Sequence, residues 1–270
     1  MALLTTGSGV RLRYESEGDG PAVLFVHGWL MSGAVWHYQR ELAGRCRLIT
    51  MDLRGHGQSG PGDGYTVTDL AGDLVELADK LELERLTLVG WSLGAQVALA
   101  AVPRLSSRLA GLVLVGGTPR FCATGDYPHG LPAGEARGMG LRLRRNPART
   151  AGEFFHGMFA EGEVTPEQYR EIARTVVVPL PPVDVALATL EGLAAADLRP
   201  LLPQIQVQTL LVHGTTDAIC LPGASAYMAE RLPDARLQLW DGIGHAPFLS
   251  RHDRFNQLLA GFLEQVHERH

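Results

Sequence analysis

Short apolar runs alternate with longer amphipathic runs along most of the chain. Each short run is apolar at nearly every position, which is typical of strands that are covered on both faces of a sheet. The predicted strands are 21–26, 47–51, 85–89, 112–115, 209–212 and 236–240, and the helical patterns include 67–81, 93–102, 225–232 and 254–266. This alternation predicts an α/β fold with a mostly parallel, doubly wound sheet.

One long interval has no strong strand pattern. Helix start signals occur there instead, at Asn146-Pro147 and at Thr165-Pro166, and residues 182–193 form a further helical run. We therefore expect a core made of residues 1–117 and 201–270. A helical lid, residues 118–200, interrupts that core.

The segment GWSLG at 90–94 fits the pattern G-x-S-x-G and directly follows a predicted strand. A helical pattern begins immediately after it, so the context is strand, turn and helix. That is the context of a nucleophile elbow, in which a tight turn projects a serine hydroxyl above the sheet. Glycines are needed on both sides because side chains there would collide with the neighbouring strand and helix. Ser92 is the candidate nucleophile.

A serine hydroxyl needs a base to remove its proton, and the base needs an orienting carboxylate. Asp217 and His245 each follow a predicted strand, in the order nucleophile, acid, histidine that accompanies this elbow. The carboxyl ends of these strands meet at one edge of the sheet, where open α/β folds place their sites. Asp241 is a rival acid, but it lies too close to His245 in sequence to reach the imidazole from behind.

Acyl transfer also needs hydrogen-bond donors for the oxyanion. The backbone N–H of Trp29 follows the first predicted strand, and that of Leu93 follows the nucleophile at the start of a helix. We expect these two groups to form the oxyanion hole. His27 and His56 lie in other glycine-rich turns, and we interpret both as structural.

Composition narrows the class of protein. The chain has 270 residues, of which 46% are hydrophobic, and a net charge of −5, which argues against a nucleic-acid-binding protein. No apolar run reaches the length of a membrane span, and the first residues do not resemble a signal peptide. The three cysteines have no paired spacing, so we expect free or buried thiols and no metal site. We expect a cytoplasmic monomer without a cofactor.

The set HGW, DLRGHGQS, GWSLG, HGTTD and GHAPF resembles the α/β-hydrolase superfamily and spans nearly the whole chain. The resemblance implies a serine hydrolase in which Ser92, Asp217 and His245 form the catalytic triad. No aspartate occupies the nucleophile position, which disfavours dehalogenase and epoxide-hydrolase chemistry.

A narrower resemblance is to the carboxylesterases of biotin synthesis that hydrolyse pimeloyl-[acyl-carrier protein] methyl ester. It rests on HGW, GWSLG, VGGTPRF near Thr118, the segment 180–199 and GHAPF. Ala95 departs from the glycine that is common there, and the DLRGHGQS turn is the general superfamily form. The resemblance implies an acyl pocket that includes a short stretch of the lid. That stretch consists of Phe154, Phe155, His156, Gly157 and Met158.

Basic residues cluster in the predicted lid. Lys80 is the only lysine of the chain, and residues 136–152 contain five arginines and no acid. Acyl-carrier proteins are strongly acidic, so this segment could attract one to the pocket, although an arginine-rich composition explains the cluster equally well. Three of the arginines share a helical face only if the helix continues through Asn146-Pro147. The five are Arg137, Arg142, Arg144, Arg145 and Arg149.

Two other functions remain open. A broad-specificity carboxylesterase for short free esters would use the same triad without a carrier protein. A ligand-binding protein on a hydrolase fold would lack turnover altogether. Carbon–carbon hydrolases and perhydrolases also use this triad, and the sequence does not separate them from esterases.

Overall fold

The computed structural model describes residues 1–268, and its centre is an eight-stranded sheet. The strand order is β1-β2-β4-β3-β5-β6-β7-β8, in which β3 to β8 are parallel and β1 and β2 are antiparallel additions at one edge. The strands are β1 (Ala2–Thr5), β2 (Arg11–Glu17), β3 (Ala22–Val26), β4 (Arg47–Met51), β5 (Leu86–Trp91), β6 (Leu109–Val115), β7 (Thr209–Gly214) and β8 (Ala235–Trp240).

Nine helices surround or extend this sheet in the part of the chain that is described. The helices are α1 (Val67–Lys80), α2 (Leu93–Leu105), α3 (Ala133–Arg145), α4 (Pro147–His156), α5 (Pro166–Val176), α6 (Val183–Ala195), α7 (Pro222–Ala229), α8 (Pro247–Ser250) and α9 (His252–Glu268). Three 3₁₀ segments, at Gly33–Gly44, Ser106–Arg108 and Arg199–Gln204, precede β4, β6 and β7, respectively. The prediction of a mostly parallel α/β sheet is confirmed.

Both faces of the parallel strands are buried. Leu24 of β3 packs in an apolar cluster with α1 and α2, whereas Phe25 packs on the opposite face with Trp36 and with Phe255 of α9. This arrangement explains why the strands are apolar without alternation. In residues 1–268 no helix is both long and apolar enough to cross a membrane.

The sequence pattern did not predict β1 and β2. Strand β2 contains Arg11, Arg13, Glu15 and Glu17 within seven residues, so it lacks a continuous apolar run. It lies near the sheet edge and pairs antiparallel with β4 on one side and with β1 on the other. Strands in such positions tolerate charged side chains because they are not covered on both faces.

Four helices, α3 to α6, lie between β6 and β7, where the sequence predicted the lid. The helices α3 and α4 are separate, because Asn146 has an extended backbone (φ −152°) and Pro147 begins α4. The Asn146 side chain accepts a hydrogen bond from the Arg149 N–H at 3.2 Å, which caps α4. Arg149 therefore does not share one continuous helix with Arg142 and Arg145. We call residues 118–200 the insertion.

Candidate active site

Ser92 lies at the junction of β5 and α2 in a strained conformation. Its φ of 57° and ψ of −116° are uncommon for a residue with a side chain. A Cβ atom on Gly90 would lie 2.3 Å from the Gly94 carbonyl oxygen, and one on Gly94 would lie 2.2 Å from the Val26 carbonyl oxygen. The predicted need for both glycines is confirmed, since α2 and β3 approach the turn this closely.

Asp217 and His245 meet at the carboxyl ends of β7 and β8. The Nδ1 atom of His245 lies 2.7 Å from the Asp217 Oδ2 atom, and both side chains are fully buried. An ionised carboxylate only accepts hydrogen bonds, so Nδ1 carries a proton, and in the neutral imidazole Nε2 then keeps its lone pair. Within residues 1–268 the His245 Nε2 atom has no hydrogen-bond partner. It is therefore free to accept a proton.

The environment of Asp217 keeps its carboxyl ionised. Burial by itself raises the pKa of Asp217, but the nearby imidazoles of His245 and His213 outweigh burial and hold this pKa well below its usual range. The other oxygen, Oδ1, accepts hydrogen bonds from the backbone N–H groups of Ile219 (2.8 Å) and Cys220 (3.0 Å). These contacts also fix the direction in which the carboxylate faces His245.

His213 is a second partner of Asp217 that the sequence analysis missed. Its Nε2 atom lies 2.7 Å from the Cys220 carbonyl oxygen and 3.1 Å from the Asp217 Oδ2 atom. Both neighbours are acceptors, so Nε2 carries a proton, and Nδ1 accepts from the Ser225 hydroxyl at 2.6 Å. The sequence signal that could have revealed His213 is the His-Gly pair at the end of β7, in which the histidine precedes Asp217 by four residues.

The Ser92 hydroxyl lies beside the buried Cys220 thiol, whose pKa is raised mainly by burial. It makes no hydrogen bond with the His245 Nε2 atom, which has no hydrogen-bond partner in the described part of the chain. The two segments nevertheless touch, because the indole Nε1 of Trp91 donates to the His245 carbonyl oxygen at 2.9 Å. Catalytic hydrogen bonds are often long or absent until substrate binds, so this geometry is compatible with a serine–histidine pair.

The two segments that carry the predicted oxyanion donors adjoin Ser92. A Cβ atom on Gly28 would lie 3.2 Å from the Ser92 Cβ atom, so the turn after β3 lies directly against the nucleophile. Trp29 follows in that turn, and Leu93 is the first residue of α2. The buried Trp29 indole donates to the Ala186 carbonyl oxygen of α6 at 2.8 Å, which ties this turn to the insertion.

Two of the five predicted acyl-pocket residues contact the site. The ring of Phe154 packs edge-on against Trp29, with ring centroids 5.1 Å apart. The carbonyl oxygen of the buried Met158 accepts a hydrogen bond from the His245 N–H at 2.7 Å. The insertion therefore touches both the oxyanion turn and the histidine loop.

The other three residues of that stretch lie elsewhere. Phe155 is buried in an aromatic cluster with Phe159 and Tyr169. His156 and Gly157 are exposed, and the His156 ring lies against Tyr169 rather than at the triad. A helix turns successive side chains by about 100°, so five consecutive residues cannot all face one pocket.

All five predicted docking arginines are exposed. Arg149 is paired with Glu153 one helical turn away, at 2.7 Å. In residues 1–268 no ion pair involves the other four arginines, which lie on α3. Those four are Arg137, Arg142, Arg144 and Arg145.

A groove of about 590 Å³ runs between α3 and α6. Its lining is mainly apolar, and Arg137 and Arg144 contribute to it. Leu141, which is 68% exposed, lies on the same helix as these arginines and also lines the groove. The exposed face of α3 thus combines positive charge with apolar surface.

His27 and His56 lie near the site but are held by backbone contacts. Nδ1 of His27 lies 2.8 Å from the Gly28 carbonyl oxygen, while Nε2 accepts from the Leu53 N–H at 3.0 Å. Burial lowers the pKa of His27 from 6.5 to about 4, and burial with the nearby His27 lowers that of His56 to about 3. Both are neutral at neutral pH and serve the structure of their turns.

These two histidines predict a loss of stability in mild acid. The unfolded chain binds protons on them below about pH 6.5, whereas the folded chain does not until about pH 4 or lower. Stability is therefore fully present above pH 6.5, and each histidine lowers it by about 1.4 kcal/mol for every pH unit below that, until the pKa of the folded state is reached. Urea unfolding at pH 7 and pH 5 measures the change.

His27→Gln tests this prediction by removing one of the buried histidines. His37→Gln is the matched control, because His37 is exposed. The first should flatten the dependence of stability on pH, although it also lowers stability at pH 7. The second should leave the dependence as it is. An equal slope in all three proteins would contradict the assignment to buried histidines.

The chain belongs to the α/β-hydrolase family, whose model, described as the alpha/beta hydrolase fold, matches residues 21–251. A curated relative, "Pimeloyl-[acyl-carrier protein] methyl ester esterase" of Nitrosomonas europaea, is 34% identical over 90% of this chain and 96% of its own length. Among solved structures, an esterase of Exiguobacterium antarcticum has a TM-score of 0.91 at 27% identity, covering 97% of this chain and 98% of the other. An esterase of Thermogutta terrifontis has a TM-score of 0.85 at 31% identity, covering 99% and 100%.

Proposed function

We propose that this protein is a serine carboxylesterase that hydrolyses the methyl ester of pimeloyl-[acyl-carrier protein]. The products are pimeloyl-[acyl-carrier protein] and methanol, and the reaction belongs to biotin synthesis. The observation that carries the serine chemistry is the 2.7 Å contact between Asp217 and the His245 Nδ1 atom, which orients the imidazole beside the elbow. The substrate follows from the curated relatives, which match nearly the whole chain at about one third identity.

Acylation begins with proton transfer from Ser92. Rotation of its side chain away from Cys220 brings the hydroxyl to the Nε2 atom of His245, which takes the proton while the oxygen attacks the ester carbonyl. Asp217 stabilises the imidazolium that forms. The backbone N–H groups of Trp29 and Leu93 hold the oxyanion.

Collapse of the tetrahedral intermediate expels methanol, which receives its proton from His245. Water then attacks the acyl-enzyme with His245 again as the base, and Ser92 leaves. The pimeloyl chain reaches Ser92 with its distal methyl ester first. The thioester to the carrier stays outside the site, so it survives the reaction.

The carrier protein docks on the exposed face of α3. Four arginines without ion-pair partners among the described residues lie on this helix, and acyl-carrier proteins are acidic. The groove beside α6 supplies apolar contact next to that charge. The enzyme acts as a monomer in the cytoplasm, where its three buried free cysteines stay reduced.

Substitution of two α3 arginines tests this docking. Arg144→Gln combined with Arg145→Gln should lower kcat/KM for the carrier-bound ester about 10-fold at low salt, because steering by charge is lost. Hydrolysis of a short p-nitrophenyl ester should stay unchanged. Initial rates at 20 and 300 mM salt would measure both effects, since salt screens exposed charges.

The matched control removes two arginines from another helix of the insertion. Arg170 and Arg174 lie on α5 and are exposed, so Arg170→Gln combined with Arg174→Gln changes the net charge equally. An equal loss in both double variants would mean that total charge, not the α3 face, attracts the carrier. If the wild-type protein hydrolyses only the short ester, it is a general carboxylesterase.

A further inference from the structure

The loop that carries His245 is held by the insertion as well as by the core. The His245 N–H donates to the Met158 carbonyl oxygen at 2.7 Å, and the preceding Gly244 N–H donates to the Glu163 Oε2 atom at 2.8 Å. On the core side, the Trp91 indole donates to the His245 carbonyl oxygen. The histidine backbone is thus fixed between strand β5 and the turn 158–163 of the insertion.

Glu163 is the centre of this connection. Its side chain is buried, with the residue only 5% exposed. Oε2 accepts from the Ala160 N–H at 2.6 Å and from Gly244, while Oε1 accepts from the Ser250 hydroxyl of α8. One carboxylate therefore joins the insertion turn to the residues that precede and follow His245.

The packing around this carboxylate leaves little room for adjustment. A Cβ atom on Gly244 would lie 2.5 Å from the Met158 carbonyl oxygen and 3.1 Å from the Glu163 Oε2 atom. The histidine loop can lie this close to the insertion only because residue 244 is glycine. The Glu163 carbonyl oxygen adds a further contact, since it accepts from Arg251 at 3.1 Å.

We infer that Glu163 is a positioning residue for His245. This inference rests on the proposed function, in which the His245 Nε2 atom takes the Ser92 proton. A displacement of about 1 Å between catalytic groups can cost about 100-fold in rate. Glu163 acts through the backbone of the histidine loop and does not touch the reacting atoms. The insertion thereby sets the position of the base.

Three substitutions of Glu163 separate its shape from its charge. Glu163→Gln keeps the length of the side chain: its amide oxygen accepts from Gly244, and its NH₂ group donates to the Ser250 hydroxyl. Glu163→Asp keeps the charge but is one methylene too short. Glu163→Ala removes all the contacts.

We expect Glu163→Ala and Glu163→Asp to lower kcat for a short p-nitrophenyl ester about 10- to 100-fold, with KM changed less than about threefold. Glu163→Gln should keep most of the activity. Rates of Ser92 labelling by a fluorophosphonate should fall in the same order. The fraction of protein that the fluorophosphonate labels at completion measures how much of the protein has a folded site. When kcat is divided by this fraction, partial unfolding cannot be mistaken for a lower kcat. Glu161→Ala, at an exposed neighbouring position, is the matched control.

Two results would overturn the inference. One is full kcat per labelled site in both Glu163→Ala and Glu163→Asp, which would limit Glu163 to a stabilising role. The other is higher activity in Glu163→Asp than in Glu163→Gln, which would make charge rather than position the important property. Failure of the proposed function itself is recognised separately, because Ser92→Ala would then keep its activity.

Discussion

Ser92→Ala is expected to lower kcat for ester hydrolysis by about 10⁴-fold or more, with the fold intact. The alanine has no hydroxyl to attack the carbonyl, and removal of a triad serine leaves only the effects of binding and of the oxyanion hole. Labelling by a fluorophosphonate should disappear at the same time. Initial rates with both esters, together with the labelling assay, measure the loss.

The loss of activity should not follow a loss of stability. Ser92 has a positive φ that alanine adopts at similar cost, so we expect the free energy of unfolding to change by less than about 1 kcal/mol. Ser107→Ala, at an exposed position, is the control and should keep full activity. If Ser92→Ala keeps turnover near the wild-type rate and still reacts with the fluorophosphonate, the chemistry belongs to another residue.

Asp217→Asn is expected to lower kcat by about 10³- to 10⁴-fold. An asparagine amide can donate to the His245 Nδ1 atom, which moves the imidazole proton to Nε2, so the histidine can no longer act as the base. The second neighbour, His213, adds to the effect, because its Nε2–H faces the same carboxylate oxygen. The rate of fluorophosphonate labelling should fall with kcat, since both depend on activation of Ser92.

Asp241→Asn is the matched control for that experiment. Asp241 was the rival acid in the sequence, yet it is exposed and its carboxylate accepts from the Thr215 hydroxyl at 3.1 Å. We expect this variant to change kcat less than about twofold, since exposed substitutions away from a site have small effects. A large loss in Asp241→Asn together with a small loss in Asp217→Asn would reverse the assignment of the acid.

The parallel part of the sheet could be predicted from sequence because each strand is buried on both faces. All six predicted strands end within two residues of the observed ends. The strands 85–89 and 209–212 end two residues early, because β5 continues to Trp91 and β7 continues to Gly214. Strand β2 was missed because its charged residues, such as Arg13 and Glu15, remove the apolar signal. The pattern for 225–232 was displaced, since α7 begins earlier, at Pro222.

Candidate site residues could be chosen from sequence where the chemistry imposes a local backbone requirement. Ser92 was chosen through its two glycines. A Cβ atom on either glycine would lie 2.2–2.3 Å from a backbone oxygen, so no larger residue fits there. Asp217 and His245 were found because they follow strands of a parallel sheet, whose carboxyl ends share one edge. The assignment of the five-residue stretch 154–158 to one acyl pocket stays a prediction. Within this stretch helix α4 turns Phe154 towards Trp29 and Phe155 towards Tyr169, which the sequence pattern did not distinguish.

The sequence by itself determined the α/β sheet and the chemical class of the site, because buried strands and tight glycine turns depend on residues that are close in the chain. Only the tertiary structure decided which groups support the candidate triad. His213 faces Asp217 through a side-chain contact, and Glu163 holds Gly244 from 81 residues away. Such contacts leave no periodic pattern, since any segment that the fold brings near can provide the hydrogen-bond partner.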